Sequence, residues 1–402
     1  MRNVIANGHM LALSSLVFML DSAAALSATQ AARGFDNRSN GLVVQGDMNH
    51  DRSFFEKTWT AEMGLGPVFN GESCVECHND PVPGGYSKVT VTRAGVFDGQ
   101  HYFDLPGGSL FHEKAILPSI QETVPSAANV IVKRLSTNLL GAGYVEAIAD
   151  ETLLAIARKQ ATETHGDIEG EAVMVNVLEA PGLKKVGRFG WKSQHATLLS
   201  FCGDAFHSEM GVSNSVVPTE ITSNGQSLAA YDVRADPESN GWEVQLVAEF
   251  IRATKAPPRD ARLKRSATVK AGSTLFDSVG CGVCHVPALT TARTGSLLAG
   301  IASAVPAALG SKTIHPYSDF LLHDIGTGDG IVQNGPASTR NKMRTAPLWG
   351  LRIRSEFLHD GSAHTLAEAI ERHRGTASKV VERYKALTKG QQARLLKFLR
   401  SL

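Results

Sequence analysis

Cys74-Val75-Glu76-Cys77-His78 and Cys281-Gly282-Val283-Cys284-His285 decide how this chain is to be read. Each pentapeptide places two thiols across a two-residue gap and follows them at once with an imidazole. That spacing lets the thiols meet the two vinyl groups of one porphyrin while the histidine reaches the iron from the same side, the attachment signature of a c-type haem. A zinc site would want a second Cys/His pair close by to complete four ligands, and here the two pairs stand in opposite halves of the chain. A thioredoxin-like redox pair does not require the trailing histidine and would need a βαβ setting that the flanking sequence lacks. The spacing therefore predicts two covalently bound c-type haems, held by Cys74, Cys77 and His78 and by Cys281, Cys284 and His285. The fifth cysteine, Cys202, stands alone, and its surroundings suggest a buried thiol.

Around these motifs lies an ordinary globular composition of 402 residues, 43% hydrophobic and 20% charged. Such a chain can bury a sizeable core and is long enough for two domains. Forty Lys+Arg against 39 Asp+Glu leave a formal net charge of +1, which gives no basic footprint for nucleic acid. At the amino terminus Arg2 precedes the apolar run Leu11–Leu20 and the small residues Ala23, Ala24 and Ala25, the layout of a secretory signal over residues 1–25. No later stretch has the roughly 18 uninterrupted apolar residues of a membrane span. Export suits c-type haem, which bacteria attach outside the cytoplasm, so the expected location is periplasmic.

Each motif has a glycine-containing approach, Gly64-Leu65-Gly66-Pro67-Val68-Phe69 before the first and Gly272-Ser273-Thr274-Leu275-Phe276 leading to Gly280 before the second. This repetition suggests two haem-binding halves, 35–255 and 260–402, joined where Pro257 and Pro258 end the helix running through Trp242–Val247. Asp150 reads as the N-cap of a helix over Glu151–Arg158. Thr365-x-x-Glu368 and Thr388-x-x-Gln391 are capping-box patterns, the second opening an amphipathic terminal helix. Ser87–Arg93 is the best strand candidate, and the Ala/Gly/Ser-rich stretch Leu297–Gly310 reads as a surface insertion. The fold class expected is mainly α: two cytochrome c-like haem domains with extensive loops and a few short strands.

The carboxy-terminal third carries a more specific pattern: Tyr317-Ser318-Asp319-Phe320-Leu321-Leu322-His323-Asp324-Ile325-Gly326, Arg344-Thr345-Ala346-Pro347-Leu348-Trp349-Gly350 and Leu358-His359-Asp360-Gly361-Ser362-Ala363. With Gly143-Tyr144-Val145-Glu146, Gly187-Arg188-Phe189-Gly190-Trp191-Lys192 and Glu209-Met210-Gly211 in the same order, the chain resembles the di-haem c-type oxidoreductases, relatives of the bacterial di-haem cytochrome c peroxidases. The resemblance covers about residues 60 to 402.

That resemblance implies roles for single residues. Met343 matches the axial methionine of the C-terminal haem, which would be the electron-input site, and Glu209 matches the distal acid/base of the peroxidatic N-terminal haem. Trp191 matches the tryptophan between the haems. Glu146 is a backup acid, His101 and His112 are alternative resting-state ligands, and His323 and His359 are candidates for the haem edge. The peroxidases also hold Ca2+ between their haems, for which Asn138 or Thr137 would serve here. The implied activity is reduction of hydrogen peroxide, or another small oxidant, with electrons from a small redox protein. The alternatives are a di-haem electron carrier and a di-haem oxidase or oxygenase acting on an organic or protein substrate.

Overall fold

A computed structural model describes residues 28–298 and 303–402; the expected signal segment 1–25 lies outside them. Ten helices are present among the described residues: α1 (Gln45–Phe55), α2 (Cys74–Cys77), α3 (Ala142–Glu146), α4 (Asp150–Glu163), α5 (Leu198–Met210), α6 (Trp242–Ala253), α7 (Ala267–Val279), α8 (Leu366–Glu371), α9 (Ser378–Ala386) and α10 (Lys389–Leu399). Helix outweighs strand, and long irregular connections link the elements. Among the described residues no helix is long and apolar enough to cross a membrane.

Sheet structure exceeds the expectation of a few short strands. The eight residues Thr90–Phe97 form a central strand, β1, to which Tyr102–Asp104 (β2), Leu110–Phe111 (β3) and Val130–Leu135 (β4) all pair antiparallel. The expected strand Ser87–Arg93 thus begins three residues later and runs four further, because pairing with β4 over Thr90–Gly95 and with β2 over Gly95–Phe97 extends it. A short hairpin, Leu322–His323 (β5) with Met343–Arg344 (β6), sets His323 opposite Met343.

The first apolar core gathers α1, α3, α5 and α6 around Phe55, Tyr144, Phe206 and Phe250. In α5 the buried residues Leu198, Cys202, Phe206 and Met210 recur every fourth position, one face of a helix turned inward. Residues of the C-terminal half, among them Leu289, Leu309, Ile314 and Phe320, also enter this core. The expected division near 255–260 is therefore not a division of the hydrophobic interior. Nor is Leu297–Gly310 a purely surface insertion, since Leu298, Val305 and Leu309 are buried in the same cluster. A second core joins α7, α8, α9 and α10 through Phe276, Tyr384, Leu395 and Phe398.

Local signals explain several boundaries. Thr388 and Gln391 form the reciprocal capping box that opens α10. At α8 only half of the box forms: Thr365 accepts the Glu368 amide, while the Glu368 carboxylate takes the His364 amide at 3.0 Å. Asp150 is inside α4 rather than capping it, with Ala149 at the cap. Its carboxylate is drawn away to the Val186 amide and to the buried guanidinium of Arg188.

Candidate functional site

The two Cys-x-x-Cys-His motifs open onto two separate cavities. Around the first, the glycine-rich approach docks on the end of α5: the Gly66 amide donates to Met210 O at 2.9 Å and the Asn70 amide to Glu209 O at 2.7 Å. This contact needs a glycine at 211, which ends α5 at φ 67° and where a Cβ would lie 2.6 Å from Val68 O. The short α2 follows, so Cys74, Cys77 and His78 face α5 across a cavity enclosing about 1090 Å³, open solvent at its mouth included.

Glu209, Asp204, Arg93, Asn70 and Trp191 line the same space. The Glu209 carboxylate is fixed by Asn70, whose Nδ2 donates to Oε2 at 2.9 Å. Burial raises its pKa above the usual carboxylate range, against the pull of Arg93. Asp204 is the opposite case: burial there is outweighed by the hydrogen bond from His195 at 3.0 Å, which keeps the carboxyl low. Two carboxyl groups in one cavity thus differ in proton affinity, the arrangement from which acid and base roles arise. Burial draws His78 down to about 4 and pushes the thiols up, Cys74 to about 12 and Cys77 to about 11. The imidazole is therefore neutral, as a metal ligand must be.

The second cavity encloses about 1270 Å³, again with solvent at its mouth, and its walls are mostly apolar. Gly280, at φ 99°, ends α7 and turns the chain into Cys281, Cys284 and His285. The His285 Nδ1–H donates to Tyr317 O at 2.9 Å, which fixes the tautomer and leaves Nε2 bare for a metal. Burial lowers this imidazole to about 4 as well. Met343, 5% exposed, lines this cavity together with His323, His359 and Trp191. Burial opposes charge on His323, but the Asp319 carboxylate, 2.8 Å from its Nε2, prevails and lifts it to about 10.

Trp191 is common to both cavity walls. Its Nε1–H donates to Leu135 O at 2.7 Å, its carbonyl accepts the Arg344 amide at 2.8 Å, and its ring meets His359 edge-on with centroids 6.1 Å apart. Two thiols, a neutral imidazole and largely apolar walls recur at each cavity, so the residues present fit a c-type haem at both.

A family model described as "Di-haem oxidoreductase, putative peroxidase" matches residues 119–402. The chain belongs to the di-haem oxidoreductase family. Among solved structures, this oxidoreductase is similar to a diheme peroxidase, BthA, from Burkholderia thailandensis (15% identity, 94% of each chain covered, TM-score 0.41). It is also similar to a MauG-like protein associated with microbial copper homeostasis (14% identity, 94% of this chain and 93% of that one, TM-score 0.41). A third is hydrazine synthase of Kuenenia stuttgartiensis (14% identity, 98% of this chain and 100% of that one, TM-score 0.39). No curated protein matches.

The remaining sequence candidates of the di-haem oxidoreductase divide between positions outside both cavities and the wall of the N-terminal one. Glu146 is fully buried and bound through both oxygens to Arg252, at 2.7 and 3.1 Å, so it anchors α3 to α6 rather than serving as an acid. His101 is exposed in the turn between β1 and β2. Both ring nitrogens of His112 are committed, one to Glu122 at 2.8 Å and one to Ser208 O at 2.9 Å. Asn138 spends its amide on the Leu140 backbone, while Thr137 lies in the wall of the N-terminal cavity. Cys202 is a buried residue in the wall of that cavity, and burial raises its thiol far above the reactive range. Sequence reading missed Asn70, Arg93 and Asp204. Asn70 follows the glycine-rich approach directly, which was the one available signal for it.

Proposed function

We propose that this di-haem oxidoreductase is an exported, periplasmic c-type peroxidase that reduces hydrogen peroxide with electrons from a small redox protein. One observation carries the reading: Glu209, a carboxyl with raised proton affinity, shares a cavity with Cys74, Cys77 and His78, and that cavity shares Trp191 with the one holding His285 and Met343. Cys74 and Cys77, like Cys281 and Cys284, would hold a haem covalently, with His78, His285 and Met343 as iron ligands. When bound, the haems would supply the redox chemistry between the electron donor and peroxide.

The chain's own residues manage the protons. Reduction follows H2O2 + 2 e− + 2 H+ → 2 H2O, and cleaving the O–O bond heterolytically requires a proton on the departing oxygen. Asn70 occupies Oε2 of Glu209, which leaves Oε1 to collect the proton of the near oxygen and hand it to the far one. Burial raises the affinity of that carboxyl for the proton it carries. Trp191 offers a flat, polarizable ring between the two sites.

The test is Glu209→Gln in protein produced with a cytochrome c maturation system. A haemochrome count of two, with peroxide turnover reduced by about 10²–10⁴-fold, is the expected result. Full turnover in the variant would remove Glu209 from the mechanism. Wild-type protein that shows only six-coordinate haem and no reaction with peroxide would be an electron carrier. Protein that reacts with peroxide but turns over poorly with reduced donor would be an oxidase of an organic or protein substrate.

A further inference from the structure

Four carboxylates used by neither cavity meet in the long connection between α5 and α6. Glu220, Asp232 and Glu238 each bring a carboxylate oxygen within 4.8 Å of the other two, and Asp236 shares with Glu238 the hydroxyl of Ser213. Each of the three is anchored by one oxygen to a backbone amide: Glu220 Oε1 accepts from Ile221 at 2.6 Å, Asp232 Oδ1 from Arg234 at 2.9 Å and Glu238 Oε2 from Ser213 at 2.5 Å. The carboxylates are thus preset, with their second oxygens left over.

Two of those second oxygens, Glu220 Oε2 and Glu238 Oε1, are buried and have no hydrogen-bond partner. Glu238 itself is only 5% exposed. A buried carboxylate oxygen without a donor loses its hydration and recovers nothing. Ser213 cannot supply the deficit, because its single hydroxyl proton faces two carboxylates while its oxygen accepts the Glu238 amide at 3.3 Å. The strongest charges acting on Glu220 are those of Glu238, Asp236 and Asp232, and with burial they push its carboxyl up to about 8. Arg234, the cation nearest in sequence, sends its guanidinium away to Met63 O at 3.3 Å.

We propose that Glu220, Asp232 and Glu238, with Asp236 at their edge, form a binding site for a calcium ion. The donors are oxygen alone, which selects a hard cation over copper or zinc. Two Ca–O bonds of about 2.4 Å span the separation of these oxygens, and calcium tolerates the irregular, loop-borne geometry that magnesium does not. The placement gives the ion a structural task. Ser213 lies just beyond the end of α5 that carries Glu209, and Glu238 packs against Gly64, where an added Cβ would fall 2.5 Å from the Glu238 Cβ. A bound ion therefore ties the exit of α5 to the approach of Cys74, the two sides of the N-terminal cavity. This site is separate from the Asn138 and Thr137 expected from the family resemblance.

The direct measurement is equilibrium dialysis of the haem-loaded full chain against radioactive Ca2+ after stripping with a chelator. Wild-type protein is expected to bind one equivalent more than the double variant Glu220→Gln/Asp232→Asn, and Ca2+ is expected to raise the melting temperature of the wild type but not of the variant. Equal stoichiometry in the two proteins, or no binding by the wild type, overturns the proposal. Should the double variant fail to fold, crystals of the unaltered chain soaked with a lanthanide decide the question. An anomalous peak among the three carboxylates supports the site, and its absence overturns it.

Discussion

At the scale of single residues, Trp191 carries the most. Its indole lies in the walls of both cavities and its N–H is spent on the Leu135 carbonyl in the protein interior. Trp191→Phe keeps an aromatic ring but strands that carbonyl, so stability is expected to fall by about 1–3 kcal/mol, read as a lower apparent melting temperature with both haems retained. Electron equilibration between the haems, followed by stopped flow in the half-reduced protein, is expected to slow. An unchanged rate alongside the lost stability would make Trp191 a packing residue only. The Cys-x-x-Cys-His motifs were legible in the sequence because their spacing carries the chemistry, whereas Glu209 was singled out by the family resemblance alone. Asn70, Arg93 and Asp204 were not, because they reach the cavity from three different elements and act only through the fold. His112 and Glu146 show the converse: titratable side chains singled out in the sequence whose partners, Glu122 with Ser208 O for the one and Arg252 for the other, consume them.

At the scale of elements, α7 brings the second motif to its cavity and packs against α10. Their contact is close at Gly272, where a Cβ would lie 2.1 Å from Arg394 O and 2.8 Å from the Phe398 Cβ. In an open helix, glycine to alanine raises stability by about 0.4–1 kcal/mol. Here backbone stands in the way, and overpacking of about 1–3 kcal/mol reverses the sign. Gly272→Ala is therefore expected to lower the melting temperature while leaving the peroxide reaction proposed for the N-terminal site intact; a raised melting temperature would contradict the α7–α10 packing. The capping box of α10 could be read from Thr388 and Gln391 because it is local. The four-stranded arrangement around β1 could not, since its pairing with β4 joins residues that nothing in the intervening sequence marks as partners.

For the whole molecule, Asp329 is a buried carboxylate that ties the two halves together, beside the apolar core they share. Asp329 binds Arg134 Nε through Oδ2 at 2.6 Å and Lys192 Nζ through Oδ1 at 3.0 Å, with essentially no solvent reaching any of the three. Arg134 precedes Leu135 and Lys192 follows Trp191, so the ion triad brackets the hydrogen bond that holds the shared tryptophan. Lys192 is further held by the carbonyls of Thr339, Arg340 and Lys342 at 3.1, 2.9 and 2.7 Å. Burial alone would raise Asp329, but the two cations reverse this and hold it at about 2, against about 3.9 in an unfolded chain. A depressed carboxyl stabilises the fold above its unfolded value, and that contribution, about 2–3 kcal/mol, is lost as the pH falls from about 4 through about 2. Asp329→Asn leaves two buried cations without their counter-charge and is expected to cost about 3–5 kcal/mol near neutral pH. The gap between wild type and variant in apparent denaturation midpoint should then narrow as the pH drops below about 4, since acid neutralises Asp329 in the wild type as the substitution does at every pH. A gap that stays constant across that range would mean that Asp329 contributes through packing, and that the halves are joined by their shared apolar core rather than by this charge.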